Sequence, residues 1–92
     1  MKFNERLKEI RKEKGLRQKD LFTILKVSPN CYASWEQGRT QPNITDIKRL
    51  CAIFNVTADY LLGIENEYGE KEYTEEFSYS DGVHQINHRR KS

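Results

Sequence analysis

Apolar residues recur at helical spacing in several separate stretches of this chain. Phe3, Leu7 and Ile10 form one such stripe, the mark of a buried helix face. Asn4 is placed to cap that helix, which runs to about Lys14 and stops at Gly15. Leu16 then plugs the core. A second helix, Gln18 to about Leu25, carries Leu21, Ile24 and Leu25 inward. Only Lys26 and Val27 separate it from a third, over SPNCYASWEQG. There Ser28 caps, Pro29 takes the first position where a missing N–H costs nothing, and Gly38 closes the helix in a left-handed conformation. Tyr32 and Trp35 share its inner face, while the other positions carry short or amide-bearing side chains.

After Gly38, Arg39-Thr40-Gln41-Pro42 reads as a turn that Pro42 keeps from becoming helix. Asn43 with Asp46 resembles a capping box, opening a fourth helix with the stripe Ile47, Leu50, Cys51, Phe54. Asn55 is its left-handed stop. Thr57 caps a last short helix, Ala58 to Leu62, ended by Gly63, with Tyr60 and Leu61 packing back on the bundle. The pattern is an all-α, compact five-helix domain over residues 1–63.

One cap breaks the rule. Arg17 stands where Ser, Thr or Asp belongs, forgoing ~1 kcal/mol of capping and setting a cation against the positive end of the helix. An Arg17 pointing outward to a phosphate removes the conflict. On the first helix, Lys8, Lys12 and Lys14 read as a solvated face, and the Glu5–Glu9–Glu13 strip argues against that side meeting phosphate.

From Ile64 the helical stripes end. Residues 64–92 form an acidic C-terminal tail with one hairpin signal, FSYS and VHQI joined by Asp81-Gly82. That register pairs Tyr79 with His84 and Phe77 with Ile86. A lone hairpin is marginal in water and needs a surface to lie on, whether the bundle, a second copy of the chain or another protein. A disordered acidic tail is the equal alternative.

Charge sharpens this division. Residues 1–63 hold twelve Lys/Arg and seven Asp/Glu, a net of +5; residues 64–92 hold four and seven, a net of −3. A mildly basic head suits a phosphate-binding module. At 92 residues one domain is expected, with no 18-residue apolar run to span a membrane and no apolar leader behind Met1. Cys31 and Cys51 do not make a disulfide framework and read as reduced core thiols of a cytoplasmic protein. They lie twenty residues apart, so with His84 and His88 they lack zinc-finger spacing, and no metal or other cofactor is expected. Asp46, Asp59, His84 and Ser28 offer no nucleophile–base pairing, and no glycine loop cradles phosphate, so no enzyme is expected. Arg89-Arg90-Lys91 reads as a solvated basic terminus.

Two short helices joined by so tight a turn suggest a helix-turn-helix, whose second helix enters the DNA major groove. The motifs extend this. Ile10-Arg11-Lys12-Glu13-Lys14-Gly15-Leu16, Gln18, Val27-Ser28, Trp35-Glu36-Gln37-Gly38-Arg39, Pro42 and Val56-Thr57-Ala58-Asp59-Tyr60-Leu61-Leu62-Gly63 occur in that order. Together they resemble the Cro and lambda-repressor-like, or xenobiotic-response-element type, helix-turn-helix family, over about Phe3 to Gly63.

The resemblance implies roles for the matching positions. Gln18 would bind a phosphate at the start of the second helix. Asn30 and Ser34 would face base edges, with Pro29 and Ala33 alongside. Arg39 and Thr40 would hold the DNA backbone, assisted by Gln37. Arg11 and Glu36 would form a buried ion pair. Three departures stand out: Phe22 replaces a small residue, Lys26 replaces a glycine, and Pro29 can offer a base only apolar contact. Lys26 either takes an unusual backbone conformation or adds a phosphate contact. Asn30 paired with adenine is the best single reading.

The implied function is a sequence-specific double-stranded DNA-binding transcriptional regulator, a repressor, acting as a homodimer on an inverted repeat. The competing class is an antitoxin- or antirepressor-like adaptor that binds a protein partner through residues 65–92, which the Tyr- and Glu-rich tail motivates.

Overall fold

The computed structural model describes residues 1–71. Among them are five helices: α1 Phe3–Glu13, α2 Gln18–Leu25, α3 Pro29–Gln37, α4 Ile44–Phe54 and α5 Ala58–Leu61. Their apolar faces meet in one core of Leu7, Ile10, Leu21, Leu25, Tyr32, Trp35, Leu50, Phe54 and Leu61. The hairpin expected around Asp81-Gly82 lies outside the described residues.

Most helix ends are fixed by the side chains that mark them in the sequence. Ser28 Oγ accepts from Cys31 N at 3.0 Å, Asn43 Oδ1 from Asp46 N at 2.8 Å and Thr57 Oγ1 from Tyr60 N at 3.1 Å. Gly38 and Asn55 close α3 and α4 with φ of 79° and 58°. Lys26 closes α2 at φ 60°, a left-handed conformation that costs a lysine what it does not cost glycine.

Three expectations change. Asn4 does not cap α1. The helix starts two residues earlier, with Lys2 as its N-cap, where the Glu5 carboxylate takes the backbone N–H of Lys2 at 3.2 Å. Asn4 lies inside α1, and its amide reaches across to the Glu36 carbonyl on α3. Ile24 does not point inward; it is 51% exposed. Leu21 and Leu25 set the centre of the buried face, and Phe22 and Ile24 flank it on either side at the same angle, about 80°. Of the two, Phe22 is the residue that packs, half-buried, against the core. Finally, α5 ends at Leu61, with Leu62 as its C-cap.

Arg6 has no counterpart in the sequence reading. It is 5% exposed, with its guanidinium 3.9 Å from the centre of the Tyr60 ring. It donates to the backbone carbonyls of Tyr60 and Glu65, and it pairs with Glu9 at 3.3 Å. One cation thus ties α1 to α5 and to the chain beyond it. There Ile64 and Glu65 both donate to the Asp59 carbonyl, and an isolated bridge joins Glu65 to Lys71. The N-terminus crosses this corner so closely that a Cβ on Gly63 would lie 1.8 Å from the Met1 carbonyl oxygen.

Gly63 therefore has two reasons to be glycine, a φ of 84° and this crossing. Gly63→Ala is expected to lower stability by ~1–3 kcal/mol, since strain and backbone displacement add. Urea melts of the two proteins measure this. Equal midpoints would show that the N-terminus does not hold this crossing.

Candidate nucleic-acid interface

The outward face of α3 is presented from below by a single buried carboxylate. Glu36 is 8% exposed and accepts four side-chain hydrogen bonds. Arg11 donates twice, Nε to Oε2 at 2.6 Å and a terminal nitrogen to Oε1 at 3.1 Å. The Tyr32 hydroxyl donates at 2.6 Å and Gln18 Nε2 at 3.0 Å. Arg11 also donates to the Leu16 carbonyl at 2.9 Å. Side chains from α1, α2 and α3 thus converge on one group, and no buried side-chain polar atom among the described residues lacks a partner.

Burial by itself would raise the Glu36 pKa. The hydrogen bonds from Arg11, Tyr32 and Gln18 outweigh it and hold the carboxyl below the usual range. The Tyr32 hydroxyl is pushed well above its ordinary value, first by burial and then by its hydrogen bond to Glu36. Arg11 is raised, chiefly by its hydrogen bond to Glu36.

Above this network, Pro29, Asn30 and Gln37 are exposed and Ala33 is half-exposed. Asn30, Ala33 and Gln37 recur at i, i+3 and i+7, so they share one side of the helix. Ser34, expected at base edges, is at i+4 from Asn30 and so shares that side, but it sits below the surface. It is 7% exposed, and its hydroxyl donates to the Cys31 carbonyl and pairs with the Thr40 hydroxyl. Its carbonyl accepts from Arg39 N and Thr40 N at 3.0 and 3.4 Å. Ser34 anchors the loop after α3, a role its small size and helical register did not reveal.

The expected backbone-contacting residues fall at the two ends of α3. Gln18 reaches Glu36, so the first turn of α2 lies beside the last turn of α3. This uses one amide N–H of Gln18; the carboxamide has a second, and the first N–H groups of α2 have no acceptor within the helix. Arg17 is exposed there too, but it does not simply point outward. Its guanidinium pairs with Asp20 at 3.1 Å, and the same carboxylate takes its backbone N–H at 2.8 Å. Asp20 is thus the answer to the unusual cap. Arg39 and Gln37 are exposed at this end, where Thr40 has its hydroxyl engaged by Ser34. Lys26 is exposed at the opposite end, beside Pro29.

Trp35 and Tyr32 are buried edge to face, with centroids 5.6 Å apart, and offer no ring for stacking on bases. Cys31 and Cys51 are free thiols. Among the described residues no cluster of His, Cys, Asp and Glu is arranged to hold a metal ion.

The Glu36 network sets a pH dependence. Its carboxyl pKa is lower folded than unfolded, so its contribution is complete above the unfolded value and is lost as pH falls through the folded one. Glu36→Gln should cost ~3–5 kcal/mol at neutral pH, because it strands the Arg11 charge. That gap should shrink in urea melts at successively lower pH. A gap independent of pH would mean that Glu36 titrates alike in both states.

Comparison with known proteins gives this geometry its relatives. The helix-turn-helix family pattern matches residues 7–61. The chain is 40% identical over 65 residues to the HTH-type transcriptional activator BcrR of Enterococcus faecalis, covering 71% of this chain and 32% of that protein. It is 38% identical over 72 residues to the HTH-type transcriptional regulator DdrOP3 of Deinococcus deserti, covering 77% and 55%. The HTH-type transcriptional regulator ImmR of Bacillus subtilis is 32% identical over 75 residues, covering 82% and 58%. The chain thus spans between about a third and three fifths of the length of these relatives. Among solved structures, a transcriptional regulator from Listeria innocua superposes with a TM-score of 0.65 at 26% identity, over 98% of this chain and 76% of that one. With the family pattern lying over the five helices and the tight α2–α3 turn, the chain belongs to the Cro and lambda-repressor-like branch of the helix-turn-helix family.

Proposed function

We propose that this chain is a transcriptional regulator that lays α3 in the major groove of double-stranded DNA. The observation that carries the reading is the exposed side of α3, short-chained and amide-bearing, held by the Glu36 network between basic or N–H-rich ends. In this arrangement Pro29, Asn30 and Ala33 meet base edges. The start of α2 (Arg17, Gln18) and the loop with Gln37, Arg39 and Thr40 hold phosphates at one end of α3, and Lys26 holds one at the other. For Arg17 this means exchanging Asp20 for a phosphate, a small step for an exposed pair. Thr40 contributes through its backbone and its position, since its hydroxyl is occupied.

The protein acts as a homodimer, which sets two copies of α3 about 34 Å apart on an inverted repeat. Occupancy of an operator that overlaps a promoter makes it a repressor. The relatives are named as regulators and, in one case, an activator, not as enzymes. No helix of the described residues is long and apolar enough to cross a membrane, consistent with work in the cytoplasm where the DNA is. The reading as an adaptor acting through residues 65–92 draws mostly on residues beyond those described.

Three substitutions test the division of labour, read by fluorescence anisotropy on a selected operator and its mutants across a salt series. Arg39→Ala should weaken binding to every sequence alike and reduce the salt slope by about one. Asn30→Ala should instead relax the preference at one base pair. Identical behaviour of the two would overturn the placement of α3. Lys26→Gly should raise stability by ~0.5–1 kcal/mol, through release of the left-handed strain, while lowering DNA affinity and the salt slope. A variant that is more stable and binds equally well would remove Lys26 from the interface.

A further inference from the structure

Which bases α3 can read follows from which of its side chains reach the surface. The sequence offers Ser34 as a reader, but its hydroxyl is committed to the Cys31 carbonyl and to Thr40 beneath the surface. Tyr32, Trp35 and Glu36 face the interior. What remains along the open side is Pro29, Asn30, Ala33 and Gln37. This set contains no cation; Lys26 and Arg39 stand beyond the two ends of the helix.

The chemistry of that set is one-sided. Guanine shows two acceptors, O6 and N7, to the major groove, and its matching partner is Arg or Lys. Adenine shows an acceptor and a donor, N7 and the N6 amino group, which a carboxamide meets with its own donor and acceptor. The open side carries that group at Asn30 and again two turns later at Gln37. Pro29 has no N–H and presents an apolar ring, and Ala33 presents a methyl group. Both match the thymine C5 methyl and nothing on guanine or cytosine.

Resting on the placement of α3 in the major groove, we propose that the half-site under this helix is A·T-rich. Adenine lies opposite Asn30 and Gln37, thymine methyls lie against Pro29 and Ala33, and α3 reads no guanine. Gln37 is then a specificity-determining residue rather than a holder of phosphate, a role that stays with Arg39 and Thr40.

The test is selection of full-length chain on a random double-stranded DNA pool at near-physiological salt, followed by atom-level substitution in the enriched site. A·T pairs are expected at the centre of each half-site. Replacing thymine by deoxyuridine should lower affinity about fourfold for each contacted methyl. Replacing the read adenine by 7-deazaadenine should lower it about tenfold, and Asn30→Ala or Gln37→Ala should abolish that loss at its own position only. Half-sites enriched in G·C at these positions, or indifferent to both replacements, would overturn the proposal and leave the major-groove placement standing. No enrichment of any sequence by the folded protein would overturn that placement and this proposal with it.

Discussion

A carboxylate taken out of water between three helices is the constraint on which the rest of this structure depends. Glu36 is stable in its ionised form only because Arg11, Tyr32 and Gln18 all reach it. Each comes from a different turn of the chain, so the four side chains are satisfied together in one arrangement of α1, α2 and α3. A slip of any helix by one residue would leave a charge buried without its partners, which costs far more than misplacing a methyl group. An apolar contact at this point would tolerate several crossing angles. The hydrogen-bonded carboxylate does not, and that fixes the side of α3 that faces outward.

The apolar core could not impose this alone. Nine hydrophobic residues are buried, in a described chain of five short helices. Polar locks complete the packing at two places. Glu36 joins the first three helices, and Arg6 joins α1 to α5 and to the turn that follows. Arg6 carries its charge on an aromatic face, two backbone carbonyls and Glu9, a combination that suits the flat, weakly hydrated guanidinium better than a lysine ammonium. The two locks lie on opposite faces of α1, since Arg6 and Arg11 are five residues apart along the helix. α1 thus serves as the frame to which both the α2–α3 half and the C-terminal half are fastened.

Much of this was legible in the sequence where the signal is local. Ser28, Asn43 and Thr57 cap helices that begin at the next residue, and Gly38 and Asn55 end them, because each such interaction spans only a few residues. The Arg11–Glu36 pair was legible only through resemblance, as nothing in residue spacing joins positions twenty-five apart. Arg6 was not legible at all. A lysine or arginine on a helix defaults to the solvated face, and its burial here depends on carbonyls 54 and 59 residues away. Asn4 and Ser34 misled for a shared reason. Both are residues that cap helices or meet ligands when exposed; Asn4 instead bonds across to α3, and Ser34 bonds within α3 and to the loop after it. Ile24 was misplaced because Phe22 fills the position beside Leu21 and Leu25 that periodicity alone assigns equally well to either neighbour.

The Ser34–Thr40 contact bears on how such a surface can discriminate between sequences. A helix that reads few base atoms gains most of its affinity from phosphates, which are alike at every site. Discrimination then depends on whether the base-reading side chains are held in register with the phosphate-binding ones. In this chain the register is built in at the C-terminal end of α3, where two separate segments are fastened to it. Ser34 fastens the Arg39 loop by its hydroxyl and its carbonyl, and Gln18 fastens the start of α2 to Glu36. With α3 placed in the groove as proposed, a wrong base pair could not be relieved by shifting α3 while the phosphate contacts stay in place. The whole unit must move, and the phosphate contacts are strained together with the base contacts. A sparse reading face becomes selective through the stiffness of what surrounds it.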